Sequence, residues 1–73
     1  MARKIFIGEL SATTTQASLQ AAFDDYGTIS SISIDGNHDG HIEYRTDEAG
    51  DTAIARMNGA TLDGATIVVR EER

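Results

Sequence analysis

The spacing of apolar residues along this chain switches repeatedly between a period of two and a period of three to four. The switches mark out a β-α-β-β-α-β order. Lys4-Ile5-Phe6-Ile7-Gly8 has the β-branched and aromatic content of a strand. Leu10 to Thr15 is short-chained and polar, a loop ending at Thr15, whose hydroxyl can cap a following helix. Leu19, Ala22, Phe23 and Tyr26 then fall on one face of that helix, and Gly27 ends it. Ile29, Ile32 and Ile34 mark a second strand, with Ser31 and Ser33 on the face opposite Ile32 and Ile34.

Asp35-Gly36 is a hairpin signal between two strand patterns. In the third strand, Gly40, Ile42 and Tyr44 alternate with Asp39, His41 and Glu43, one apolar face against one polar face. Thr46 can cap a second helix, with Asp47 and Glu48 favouring the dipole of its first turn. Its inward stripe is Gly50, Ala53, Ile54 and Met57, and Asn58-Gly59 stops it. A glycine in mid-helix implies that Gly50→Ala stabilises the domain by about 0.5–1 kcal/mol. Asp63-Gly64 makes a turn, and Ile67-Val68-Val69 is the fourth strand.

Right-handed helical crossovers place both helices on one side of a four-stranded antiparallel sheet of order 4-1-3-2. The expected fold is a ferredoxin-like α+β sandwich, one domain over residues 1–73, with the other sheet face open to solvent. Strand parity puts Lys4, Phe6, Asp39, His41, Glu43, Val68 and Arg70 on that open face. Phe6 is then either a contact residue or an aromatic packed against Val68. Arg3, Lys4, Arg70 and Arg73 are expected to gather at one end of the first and fourth strands.

These residues resemble the RNA-recognition motif over nearly the whole chain. Ile5-Phe6-Ile7-Gly8-Glu9-Leu10 matches the family's strand-one motif, with Glu9 in place of the usual asparagine. Leu19, Phe23, Tyr26-Gly27 and Ile29 fit the first helix. Ala53-Ile54, Met57-Asn58-Gly59 and Leu62-Asp63-Gly64 fit the second helix and the turn beyond it. The strand-three motif falls on Asn37 to Tyr44 and departs from the family. Asn37 and His38 replace its basic residue and glycine, and Asp39 and His41 replace its stacking aromatics. The resemblance thus implies an RNA-binding fold in which the core half of the motif survives and the RNA-facing half does not. Phe6, His41, Lys4 and Arg70 are what remains to hold single-stranded RNA.

Charge points the same way. Twelve acidic against six basic side chains give a net charge of −6, which opposes a phosphate backbone. With no cysteine, disulfides and thiolate metal sites are excluded. No segment reads as a signal peptide or a membrane span, so a soluble monomer, intracellular if natural, is expected. No nucleophile constellation or phosphate loop supports catalysis, and no cofactor is implied.

The resulting expectation is a designed or engineered scaffold of this fold, with no catalysis and weak or no RNA binding. Its alternative is a single-stranded RNA-binding module that uses the open face. Two further alternatives are a protein-interaction module and a calcium loop at 35–40. Relatives that grip proteins use an Arg-x-Phe element where this chain has Ala60-Thr61-Leu62. The calcium reading rests on Asp35, Asn37 and Asp39, with Thr46 where a bidentate glutamate belongs. His38 and His41 project to opposite sides of a strand and do not share a metal.

Overall fold

The computed structural model describes residues 1–73. β1 (Arg3–Gly8), α1 (Gln16–Phe23), β2 (Ile29–Ile34), β3 (Gly40–Tyr44), α2 (Asp47–Met57), β4 (Thr61–Leu62), β5 (Ala65–Thr66) and β6 (Val68–Glu71) follow in order. The main antiparallel sheet runs β2-β3-β1-β6, which is the expected 4-1-3-2 order with β6 as the fourth strand. β4 and β5 form a separate small hairpin. The Asp63-Gly64 turn joins them with both residues at positive φ, 50° and 84°, which is type I′ chemistry.

The core is built by the alternate inward residues of the strands and one stripe of each helix. Ile5, Ile7, Ile42, Tyr44 and Val69 meet Leu19, Phe23, Ala49 and Ala53, and Ile67 closes the layer between β5 and β6. Each such aliphatic or aromatic side chain contributes about 1.5–3 kcal/mol by leaving water. The Tyr44 hydroxyl, fully buried, donates to the Phe23 carbonyl over 2.6 Å, and burial drives its pKa far up.

Both helix starts behave as expected, and Ser18 completes a reciprocal capping box with Thr15. The first helix ends earlier than its apolar stripe. After Phe23 the chain tightens into a 3₁₀ turn, Asp24–Tyr26, and Gly27 follows at φ 154°. A side chain at Gly27 would put a Cβ 2.5 Å from that of Ala49, so the contact between this turn and α2 depends on its absence. In β2 the register slips between Ile29 and Ser31. The extra residue, Ser30, lets Ile29 and Ile32 both pack on the core although they are three apart.

The Asp35-Gly36 hairpin forms, but not as a two-residue turn. The loop spans 35–39, and the left-handed residue is His38 (φ 63°) rather than Gly36. Asp35 organises it, its Oδ1 accepting from the amides of Asn37 and Asp39. Where the chain leaves α2, Asn58 Oδ1 accepts from the Val69 amide, and the Gly59 amide donates to the Ile67 carbonyl. These bonds align β6 beside β1.

Candidate nucleic-acid interface

Both helices lie on one side of the sheet, and the outward parity of its strands composes the other. At the centre of that face stands Phe6 of β1, directly opposite His41 of β3 on one flank and Arg70 of β6 on the other. The Arg70 guanidinium carbon lies 4.3 Å from the Phe6 ring centroid, a cation–π contact. The His41 ring meets Phe6 edge-on, with centroids 5.9 Å apart and an interplanar angle of 71°. Lys4 is exposed and faces Glu43, and Ser31 and Ser33 of β2 extend the face beyond β3.

The site residues expected from sequence, Lys4, Phe6, His41 and Arg70, therefore converge on one surface. Two neighbours differ. Val68, 43% exposed, sits opposite Gly8, and the partner of Phe6 across the strands is Arg70. Arg3 does not join a basic patch with Lys4 and Arg70. It points to the helix side, where its guanidinium pairs with Asp51 at 2.9 Å, Glu71 at 3.2 Å and Asp47 at 3.8 Å. Parity alone decides this, since residues 3 and 4 of a strand project to opposite faces.

Sequence reasoning missed what holds His41. Its Nε2 lies 2.8 Å from Asp35 Oδ2, and its Nδ1 lies 2.9 Å from both carboxylate oxygens of Glu72. Carboxylates only accept, so both bonds are satisfied together only by the doubly protonated imidazolium. Accordingly the His41 pKa is raised, chiefly by Asp35 and then by Glu72, and that of Asp35 is lowered, chiefly by His41. Glu72 reaches His41 because its amide donates to the Lys4 carbonyl, so its side chain crosses β1 beside Phe6. A carboxylate in the tail, far along the chain from His41, leaves no local signal in the sequence.

Asp35, expected with Asn37 and Asp39 in the calcium alternative, is engaged within the fold. Asp35 spends its oxygens on two loop amides and on His41. No group of three or more His, Cys, Asp or Glu side chains is placed to hold a metal ion. His38 turns away to the Ser11 carbonyl, 2.7 Å from its Nε2, so the two histidines serve different partners. Ala60-Thr61-Leu62 runs into β4. No helix is long and apolar enough to cross a membrane.

A model of the RNA recognition motif matches residues 5–68. The chain belongs to the RNA-recognition-motif family. The RRM3 domain of Mip6 superposes on it with a TM-score of 0.86 at 25% identity, covering 96% of this chain and 93% of that one. Among curated proteins, the chain is 36% identical over 74 residues to the chloroplastic Organelle RRM domain-containing protein 1 of Arabidopsis thaliana, covering 92% of this chain and 20% of the relative. It is 36% identical over 66 residues to RNA-binding protein lark of Drosophila melanogaster, covering 90% and 18%. It is 36% identical over 75 residues to Glycine-rich RNA-binding protein blt801 of Hordeum vulgare, covering 93% and 47%. The chain thus spans about a fifth to a half of the length of these relatives. The expectation of a scaffold with weak or no RNA binding is overturned here. The motif and the RNA-binding names of these relatives favour the alternative, and the missing strand-three aromatics do not outweigh them.

Proposed function

We propose that this RRM is a single-stranded RNA-binding module, a single domain over residues 1–73 that acts as a monomer through its open sheet face. The carrying observation is the placement of Phe6 at the centre of that face, with Arg70 over its ring and His41 at its edge. A base stacked on an aromatic gains about 1–3 kcal/mol. Arg70 can move from the ring to the base or a phosphate, and Lys4 supplies a second cation on the same strand as Phe6. The RNA-binding names of relatives that match nine-tenths or more of the chain support this reading. The role is recognition without bond chemistry.

The net charge of −6 keeps affinity modest, and with Lys4 and Arg70 as the cations of the face the loss of affinity with salt is shallow. The test is a titration of the isotope-labelled chain with a mixed-sequence single-stranded RNA. Amides of β1, β3 and β6 should shift together, and Phe6→Ala should weaken binding about ten-fold. Shifts confined to the helices, or none at low salt, would overturn the reading.

A further inference from the structure

Asp35, His41 and Glu72 form a bridge across the middle of the open face. From the loop after β2, through β3, to the tail after β6, it ties together segments that are distant in sequence. It runs beside the one phenyl platform, and Glu72 crosses β1 to complete it. The imidazole is partly exposed, so its proton exchanges freely with water.

We infer that this bridge is a proton-operated control on RNA binding, competent when His41 is charged and repelling when it is neutral. The proposal rests on the RNA-binding reading above. With His41 protonated, one positive charge lies between two carboxylates, and both arms of the bridge are bonded. When the proton leaves to solvent, a neutral ring keeps one N–H and can donate to one carboxylate only. The other carboxylate then faces a nitrogen lone pair. The cluster goes from a formal −1 to −2 on the surface that must accept a phosphate chain, and the ring loses the clamp that fixes it against Phe6.

The other groups facing His41 do not cancel this change. Phe6 from β1 and Ser33 from β2 are its cross-strand neighbours and do not titrate near neutrality. Glu43 on β3 and Asp39 in the loop are the other carboxylates of this surface, and Lys4 and Arg70 are its cations. A bound polyanion stabilises the imidazolium further, so association takes up a proton. By linkage, acid favours binding. The two carboxylates, Asp35 first and then Glu72, raise the His41 pKa above the ordinary imidazole value, so the transition lies on the alkaline side of that value.

The experiment measures affinity for the same single-stranded RNA between pH 6 and 8.5 at fixed ionic strength, beside an NMR titration of both imidazoles. If RNA raises the His41 pKa by about one unit, the dissociation constant weakens about ten-fold from the acid to the alkaline limit. Asp35→Asn and Glu72→Gln should each move the His41 titration and the affinity midpoint to lower pH. His41→Phe should abolish the pH dependence, and His38→Gln should keep it. Measurable binding that is flat across this range overturns the inference and leaves the RNA reading standing. Absence of binding at every pH overturns both. A His41 titration unmoved by Asp35→Asn and Glu72→Gln overturns the bridge itself.

Discussion

Gly50 of α2 lies against the root of the Arg3 side chain in β1. A Cβ built on Gly50 would fall 2.7 Å from Arg3 Cβ and closer still to Cγ. Those atoms are anchored to the strand and cannot swing aside as a side-chain tip could. Arg3 also has reason to stay, since it pairs with Asp47 and Asp51 of α2 and with Glu71 of β6. The stabilisation expected from helix propensity is therefore reversed. Gly50→Ala should destabilise by about 1–3 kcal/mol, the cost of overpacking a tight site. A denaturant midpoint at or above that of the parent protein would show that β1 and α2 can separate freely.

Glu9, the fifth residue of the strand-one motif, lies in the left-handed region, at φ 61°. Asparagine, which relatives of this fold carry there, tolerates that backbone better than a longer side chain does. Glu9→Asn should stabilise by about 0.5–1 kcal/mol, read as a higher midpoint with an unchanged denaturant slope. A lower midpoint would mean that the Glu9 side chain makes a contact worth more than the backbone strain.

The Asp35–His41–Glu72 bridge also sets a pH window for stability. Asp35 has its pKa lowered from 3.8, so its contribution is present above that value and lost as pH falls through the folded pKa. His41 has its pKa raised from 6.5, so its contribution is complete below that value and lost as pH rises through the folded pKa. Melting temperature should therefore be higher at pH 5.5 than at pH 8.5, and His41→Gln should flatten the difference. An equal alkaline decline in His41→Gln would assign the effect to other groups.

Tyr44 carries the core's buried hydroxyl, and its bond to the Phe23 carbonyl stabilises the end of α1. Tyr44→Phe should remove the side-chain bond to that carbonyl and cost about 0.5–1.5 kcal/mol. Faster amide exchange at Tyr26–Thr28 than in the parent would locate the loss. An unchanged midpoint would mean that water reaches the carbonyl.

Asp39 precedes β3 at a position where the family motif sets an aromatic. Asn37→Lys with Asp39→Phe should add one platform and one phosphate contact while leaving the bridge at His41 intact. One stacked base at about 1–3 kcal/mol raises RNA affinity about ten-fold, and the added lysine steepens its dependence on salt. A folded variant with unchanged affinity would show that residue 39 does not reach the bound strand.

Much of the fold was legible because its signals are local. Thr15, Thr46 and Asp63-Gly64 act on the few residues that follow or flank them, and each performs its expected turn or cap in the structure. The candidate site was legible as far as parity reaches. Lys4, Phe6, His41 and Arg70 share a face because strand residues alternate, whatever lies next to them. The hairpin at Asp35-Gly36 was legible in place but not in shape. Its geometry follows from an aspartate side chain bonding two amides, which moves the left-handed residue to His38.

What the sequence by itself determined is thus the order of elements, their inward faces and the surface that faces out. All of these depend on periodicity and on side chains acting within about one turn. Tertiary structure alone decided the pairings across strands: Phe6 with Arg70 instead of Val68, Arg3 beneath Gly50, and Glu72 bonded to His41. The physical reason is register. The bonds after α2, from Val69 to Asn58 and from Gly59 to Ile67, determine where β6 lies beside β1. A shift of that strand by one residue would turn every one of its side chains to the other face. With the register held, the tail follows β1 past Lys4, and a carboxylate from the end of the chain comes to rest on a histidine in its middle.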